Sequence, residues 1–435
     1  MNYRETIQHH IQQFLADRQI NLGELSTATG INRGSLSAAI NGNPPKMLSV
    51  TMLDAITHYM ELPEGHYYPL YIEESFQEGG HWRRIKMLLI RCAEIGRLDD
   101  IRLILEHAAD DLKQIPLIFE TAEELYQNEQ KEAAALLYEC VIECERSNQS
   151  ERLAISYYRL FQMYSSNLEK NVQAAMQFLP HRHKIADNLA LDALLLLCHF
   201  FSIRKEMESL LKYADELIVL SHRIYETKAW LEPGFYTTRP FVYYYGQSYL
   251  AKSIYYKHIG DYDQFRLYTN GYRDLSWFPS LNKNDKHEID KLTFYAKANL
   301  LSFEINIDNR KIIPEYVEFL LENEDEVLSG LTNLISASNR YDYYIEEFLV
   351  HFQKYLQAST APVFESTRYK QEFTTLKYYE FNKEYAYYCF RKKEYKIGLE
   401  RLMQCFHSAL RLDNKEGIQE SMKLLEKYRQ EAMDQ

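Results

Sequence analysis

The stretch "GINRGSLSAAINGN", residues 30–43, decides how the N-terminal part of this chain is read. A helix serving only a core would carry large side chains over most of its inner face. Here only Leu36 and Ile40, spaced i, i+4, are large and apolar within the helical part. Everything else is small or polar, so the outer face can press against something large, and duplex DNA is the leading candidate. The preceding "NLGELSTATG" opens on Asn21, a good N-cap, sets Leu22, Leu25 and Ala28 at helical spacing and ends at Gly30. Asn32 is the expected cap of a second helix from Arg33 to about Ile40. Ile7, Ile11, Phe14 and Leu15 before this pair, and Val50, Leu53, Ile56 and Met60 after it, predict two flanking helices that complete a small core.

The segment "LGELSTATGINRGSLSAAINGNPPKMLSVTMLDAITHYMEL" resembles the helix-turn-helix DNA-binding domain of the phage repressor (Cro/C1, or XRE) family. In that family the second helix enters the major groove. The resemblance implies that Arg33 and Ser35 face bases, with Asn32 at the helix start and Ser37 on the same surface. It further implies that Asn41 and the amide end of the Leu22 helix, capped by Asn21, hold phosphates. An arginine fork suits guanine O6 and N7. The charge departs from the usual basic surface: residues 1–65 hold Arg4, Arg18, Arg33 and Lys46 against Glu5, Asp17, Glu24, Asp54, Glu61 and Glu64. A helix-turn-helix used only for protein contact is the alternative reading.

At 435 residues the chain exceeds one ordinary core. Only 15 Gly and 11 Pro accompany 36 Tyr and 21 Phe, which predicts long helices with aromatic packing and an all-α class. The longest apolar run, "LALDALLLLCHFF" at 189–201, is interrupted by Asp192 and too short for a membrane span. Nothing at the N-terminus resembles a secretion signal, so the expected location is cytoplasmic, away from membranes. Cys92, Cys140, Cys144, Cys198, Cys389 and Cys405 form no CxxC pair and read as core thiols. Neither His9-His10 nor "HRH" at 181–183 has further ligands at metal spacing, and no HExxH, phosphate-binding glycine loop or GxSxG occurs. The expectation is therefore no enzyme, no cofactor and no metal. Net charge is -12, most of it beyond residue 65, which suits solvated helix faces or a basic or neutral ligand.

From residue 81 helix follows helix, broken by brief polar turns. "RCAEIGRLDDI" around Gly96, "YYKHIGDYDQF" around Gly260 and "YCFRKKEYKIG" around Lys393 can be superimposed. Cys92, Tyr256 or Cys389 stands four residues before the turn, and Leu98, Tyr262 or Tyr395 two after. Separations of 164 and 133 residues accommodate units of about 33–41. These turns resemble those of tetratricopeptide helix pairs, and a generic helical bundle is the alternative. A helix-turn-helix followed by a tetratricopeptide-like body resembles the layout of the bacterial peptide-pheromone receptors of the RRNPP group.

That resemblance implies three parts: a helix-turn-helix domain at 1–65, a linker at 66–80 broken by Gly79 and Gly80, and a repeat domain at 81–435 forming a right-handed superhelix. It implies a cytoplasmic quorum-sensing transcription regulator that binds an inverted-repeat operator as a homodimer and is switched by a short signalling peptide. The competing reading is a non-enzymatic interaction scaffold whose repeats bind partner proteins while the N-terminal domain anchors it to DNA. For peptide contacts, polar and aromatic residues inside apolar helices are the candidates, since amide side chains match peptide groups. They are Arg159, Gln247, Asn299 and Asn339, with Tyr245, Tyr295 and Tyr343 nearby.

Overall fold

The computed structural model describes residues 6–42, 46–77, 79, 81–146, 148, 150–279, 281–357, 371–412 and 414–433, and among them every regular element is a helix. The chain divides into two compact units: Met1–Arg204 with Arg223–Thr238, and Lys205–His222 with Arg239–Gln435. The long helix Met207–Thr227 contributes residues to both.

The first unit begins with α1 (Ile7–Arg18), α2 (Leu22–Thr29), α3 (Arg33–Ile40) and α4 (Val50–Tyr59). Asn21 caps α2 in a capping box, its side-chain oxygen accepting from Gly23 and Glu24 while Glu24 accepts from the Asn21 N–H. Gly30 then takes φ 72°, a left-handed conformation that ends the helix at low cost for glycine. Asn32 caps α3 by accepting from the Gly34 N–H. Ile7, Ile11, Leu25, Leu36, Ile40, Val50, Leu53 and Ile56 are buried together, and Gln8 and Gln12 both donate to the Ile40 carbonyl, holding the end of α3 against α1.

The segment expected as a linker is instead mostly helix: α5 (Tyr68–Gln77). Tyr67, Tyr68, Tyr71 and Ile72 are buried in the same core as the preceding helices. The Tyr68 hydroxyl donates to Asp54 at 2.7 Å, the Tyr71 hydroxyl to the Leu48 carbonyl at 2.7 Å, and Glu74 accepts the Ile7 N–H at 2.9 Å. Pro69, one of the breakers that suggested a tether, sits in the first turn of this helix, where its missing N–H is not needed, and Gly79 follows the helix end, while Gly80 lies outside the described residues. Consequently the buried core runs without a break from Ile7 to Leu160, and the division between units falls well beyond residues 65–80.

The first unit continues with α6 (Trp82–Glu94), α7 (Leu98–Ala108), α8 (Ile115–Gln127), α9 (Lys131–Glu145), α10 (Glu151–Met163), α11 (Leu168–Phe178) and α12 (Asp187–Ile203). After α13 (Met207–Thr227), the second unit holds α14 (Phe241–Ile259), α15 (Tyr262–Arg273), α16 (Lys283–Asn306), α17 (Ile313–Glu322) and α18 (Val327–Tyr341). Two four-residue helices follow, α19 (Glu346–Leu349) and α20 (Gln353–Leu356), then α21 (Gln371–Arg391), α22 (Tyr395–Arg411) and α23 (Lys415–Met433). Successive helices pair and stack in the manner of helical-repeat proteins.

The reversals share one construction. Gly96, Gly260 and Lys393 all have left-handed φ (71°, 75° and 64°), and so does Glu129 at 61°. In each case the following N–H reaches back over the turn: Arg97 to the Cys92 carbonyl, Gln130 to Leu125, Asp261 to Tyr256 and Glu394 to Cys389, at 2.8–3.0 Å. This is the Schellman closure of a helix end, which satisfies otherwise orphaned carbonyls. The three superimposed turns of the sequence thus adopt one backbone geometry. Glu129, 33 residues after Gly96, is a fourth turn of the same geometry that the sequence comparison did not include.

The thiols lie where their spacing suggested: five of the six are buried, and none is in a disulfide. Burial pushes the Cys140 and Cys389 thiols up to about 12, so neither forms a thiolate at neutral pH. No helix among the described residues is long and apolar enough to cross a membrane.

Two outcomes follow from this packing. Asp54 also accepts from Arg91 Nε at 2.9 Å, so Asp54→Ala strands a buried tyrosine hydroxyl and removes one of the three carboxylates that Arg91 holds, Glu64 and Glu94 being the others. Chemical denaturation is expected to show a loss of about 1–3 kcal/mol, whereas a passive tether would register almost none. The second concerns Lys257, whose amine meets the Ser302 hydroxyl at 3.0 Å, with desolvation lowering its pKa to about 8. Because the folded-state value lies below the ordinary lysine value, protonation opposes folding. Stability should rise as pH climbs from about 8 towards 10.5, and Lys257→Met should flatten that rise and increase the melting temperature at pH 7.

Candidate functional site

Two places carry chemistry that packing does not use up. The first is the outer face of α3. Leu36, Ala39 and Ile40 are buried beneath it, while Asn32, Arg33, Ser35, Ser37 and Asn41 are exposed. Arg33, Ser37 and Asn41, four residues apart, form one stripe along the helix and its cap. Arg33 and Ser37 make no side-chain hydrogen bond or ion pair among the described residues. By contrast, the side-chain oxygens of Asn32 and Asn21 are committed to capping α3 and α2, so these two residues set the geometry of the helix starts. The helix is therefore held rigidly from below and presents a long cation, two hydroxyls and an amide outward.

The second place is a cavity of about 630 Å³ in the second unit, between α14 and α16. The two helices approach closely at Gly246, where a Cβ would run into the Leu292 side chain. Gln247 and Leu292 line the cavity together with Arg239, Tyr243, Glu288, Lys291 and Tyr295. Arg239 pairs with the buried Glu288 carboxylate at 2.8 Å and stacks over the Tyr243 ring at 4.7 Å, and Lys291 reaches the same carboxylate oxygen at 3.6 Å. Gln247 is only 7% exposed overall, and its amide, which makes no hydrogen bond among the described residues, is reached from the cavity and is not one of the fully buried polar groups left without a partner.

Of the residues expected to hold a peptide, the structure brings Gln247 and Tyr295 to this cavity. The others are occupied elsewhere. Arg159, in the first unit, forms a two-pronged ion pair with Glu123 at 2.9 and 2.8 Å, and its guanidinium lies over the Tyr126 ring at 4.6 Å. Asn299 donates to the buried Tyr272 hydroxyl at 2.9 Å, tying α16 to α15. Asn339 donates to the Glu384 carbonyl at 2.8 Å and accepts from Arg391, joining α18 to α21. Tyr245 is buried in an aromatic cluster, stacked on His222 at 5.2 Å and edge-on to Phe278. Tyr343 lies under the Arg310 guanidinium at 4.4 Å.

The sequence reading missed Arg239, Tyr243, Glu288 and Lys291. A signal for the last two was present, since Glu288, Lys291 and Tyr295 share one stripe of α16 at i, i+3 and i+7. Arg239 carried none, being brought to Glu288 across 49 residues of sequence. Among the described residues no group of three or more His, Cys, Asp or Glu is placed to hold a metal ion.

No family model matches the chain, and no curated protein matches it. Among solved structures it is matched to a protein described as a circular tandem repeat protein with novel repeat topology and enhanced subunit contact surfaces. The match covers 98% of this chain and 88% of that one, at 11% identity and a TM-score of 0.16, a level of likeness on which nothing further is built.

Arg159→Ala is expected to act on stability alone. It leaves the Glu123 carboxylate and the buried Tyr138 hydroxyl that donates to it without their cation, at a cost of about 1–3 kcal/mol. Thermal denaturation should register the loss, while ligand binding at the α14/α16 cavity stays as in the parent protein.

Proposed function

We propose that the protein is a cytoplasmic, sequence-specific DNA-binding regulator whose second unit receives a short signalling peptide. The observation that carries this reading is the uncommitted face of α3: an exposed arginine followed by small polar residues, on a helix pinned from behind. Such a helix fits a major groove because small side chains let its backbone approach the bases while the arginine fork reaches guanine. In this reading α2 and α3 act as a helix-turn-helix, and the stacked pairs beyond them as a tetratricopeptide-like receptor body.

The N-terminal segment is not basic overall, so phosphate attraction contributes little to its affinity. Two copies acting on an inverted repeat supply what one lacks, which argues for a homodimer. Because α5 and α6 lock the reading helices into the first unit, a peptide would act by moving or reshaping that whole unit. Loosening a tether at 66–80 is not available to it. The peptide must also bind one arrangement more tightly than another, since equal affinity for both shifts nothing.

The test is selection of bound sequences from a random duplex pool, followed by titration of the selected site. Arg33→Ala should weaken binding by about 1–3 kcal/mol and relax preference at one base pair per half-site. Selection of no common sequence by the parent protein, or unchanged affinity and preference in the variant, would leave the scaffold reading in its place.

A further inference from the structure

The N-terminal helices by themselves are short of the charge that a duplex asks for. Residues 1–65 hold four basic side chains against six acidic ones, while DNA carries about one negative charge per 1.7 Å of its axis. The balance changes at α6, the helix that follows α5. Its sequence WRRIKMLLIRCAE sets four cations against one acid.

α6 lies beside α4 and runs in the same direction. The Arg84 guanidinium meets the Met47 sulfur at 2.7 Å, and Arg91 Nε meets Asp54 at 2.9 Å, so the step from 84 to 91 on α6 matches the step from 47 to 54 on its neighbour. The first turn of α6 therefore borders the segment that joins α3 to α4. That segment is tied to α3 itself, since the Lys46 N–H donates to the Ala38 carbonyl at 2.9 Å. Three exposed cations lie along this path: Arg33 on α3, Lys46 beside it and Arg83 on α6.

Other charges of this region are committed within the first unit. Lys86 pairs with Glu124 at 2.6 Å, and Arg91 holds Asp54, Glu64 and Glu94. On α5, Glu74 accepts the Ile7 N–H and Glu73 faces His107 at 3.4 Å. Arg83 and Lys46, by contrast, form no ion pair or side-chain hydrogen bond among the described residues. Ile85, Leu88, Leu89 and Cys92 turn the opposite side of α6 into the core, which leaves Arg83 on the outer side. Neither cation is used to hold the fold.

From the contact between the first turn of α6 and the segment after α3, we infer that the DNA-binding surface extends beyond the helix-turn-helix: Arg83, together with Lys46, contacts phosphates that flank the bases read by α3. The inference rests on the reading of α3 as a recognition helix and adds a second part of the same partner, its sugar-phosphate backbone. Contacts to phosphate oxygens raise affinity and fix orientation without choosing sequence. A lone exposed arginine on the first helix after α5 thereby acquires a role that neither packing nor the local charge balance gives it.

The test is an anisotropy titration of the full-length protein against a duplex obtained by selection and against a random duplex, from about 50 to about 200 mM salt. The logarithm of affinity falls linearly with the logarithm of salt, with a slope of about 0.9 per phosphate neutralised. Arg83→Gln should reduce that slope by about one and weaken binding to both duplexes by the same factor, leaving their ratio unchanged. Lys46→Gln should do likewise, and Arg83→Lys should restore most of the slope. Arg102→Gln, which removes an exposed cation on α7, should leave the slope as in the parent. A parental slope in Arg83→Gln, or an equal loss of slope in Arg102→Gln, would overturn the role of α6 while leaving the recognition reading in place. If selection yields no duplex that the parent protein prefers to random sequence, the recognition reading falls and this inference with it.

Discussion

Everything in this chain depends on reversing a helix within two or three residues. A helix end leaves backbone carbonyls without partners, and a helix pair can stack on the next only if those groups are satisfied inside the turn. The left-handed residue at Gly96, Glu129, Gly260 and Lys393 does this by letting the next N–H return to the carbonyl five residues earlier. Glycine adopts that conformation freely, whereas Glu129 and Lys393 do so against a steric penalty that the packed helices on either side must offset. Once the turns are fixed, the aromatic and aliphatic faces meet, and large side chains such as Tyr138, Phe161, Phe265 and Phe303 can be buried almost completely.

The same logic accounts for the firmness of the N-terminal helices. Four short helices bury a small core, too little by general scaling to be stable with much to spare. Here α5 and α6 extend it: three tyrosines enter from residues 67–71, and Asp54 receives both a tyrosine hydroxyl and an arginine. The face of α3 is free for a partner because the opposite face, the carbonyl at its C-terminal end and the entry to α1 are all held from within the first unit.

Polar groups inside the helical body divide into two kinds. Arg159, Asn299 and Asn339 stand among apolar residues and attracted notice as ligand contacts, yet each finds a partner on a neighbouring helix and serves cohesion. Gln247 is indistinguishable from them in sequence and differs only in having nothing opposite it. Its place on the cavity wall, and not the residue type, sets Gln247 apart.

How much was legible in advance follows from the range of the interactions. Helix caps, periodicity and glycine turns act within a few residues, so Asn21, Gly30, Asn32, Gly96 and Gly260 announced α2, α3 and two of the reversals, and the helical class with them. The linker expectation at 66–80 failed because proline and glycine punctuate the local chain without revealing that Tyr68 and Tyr71 would find Asp54 and Leu48. The cavity was half legible: the Glu288, Lys291 and Tyr295 stripe is a local pattern, but its partnership with Arg239 and the place of Gln247 on the same lining depend on which helix lies across from which. Local sequence fixes where a helix starts, stops and turns its apolar side. Only the assembled structure decides which polar groups are matched, because a hydrogen-bond partner dozens of residues away leaves no trace in the spacing of the residue that needs it.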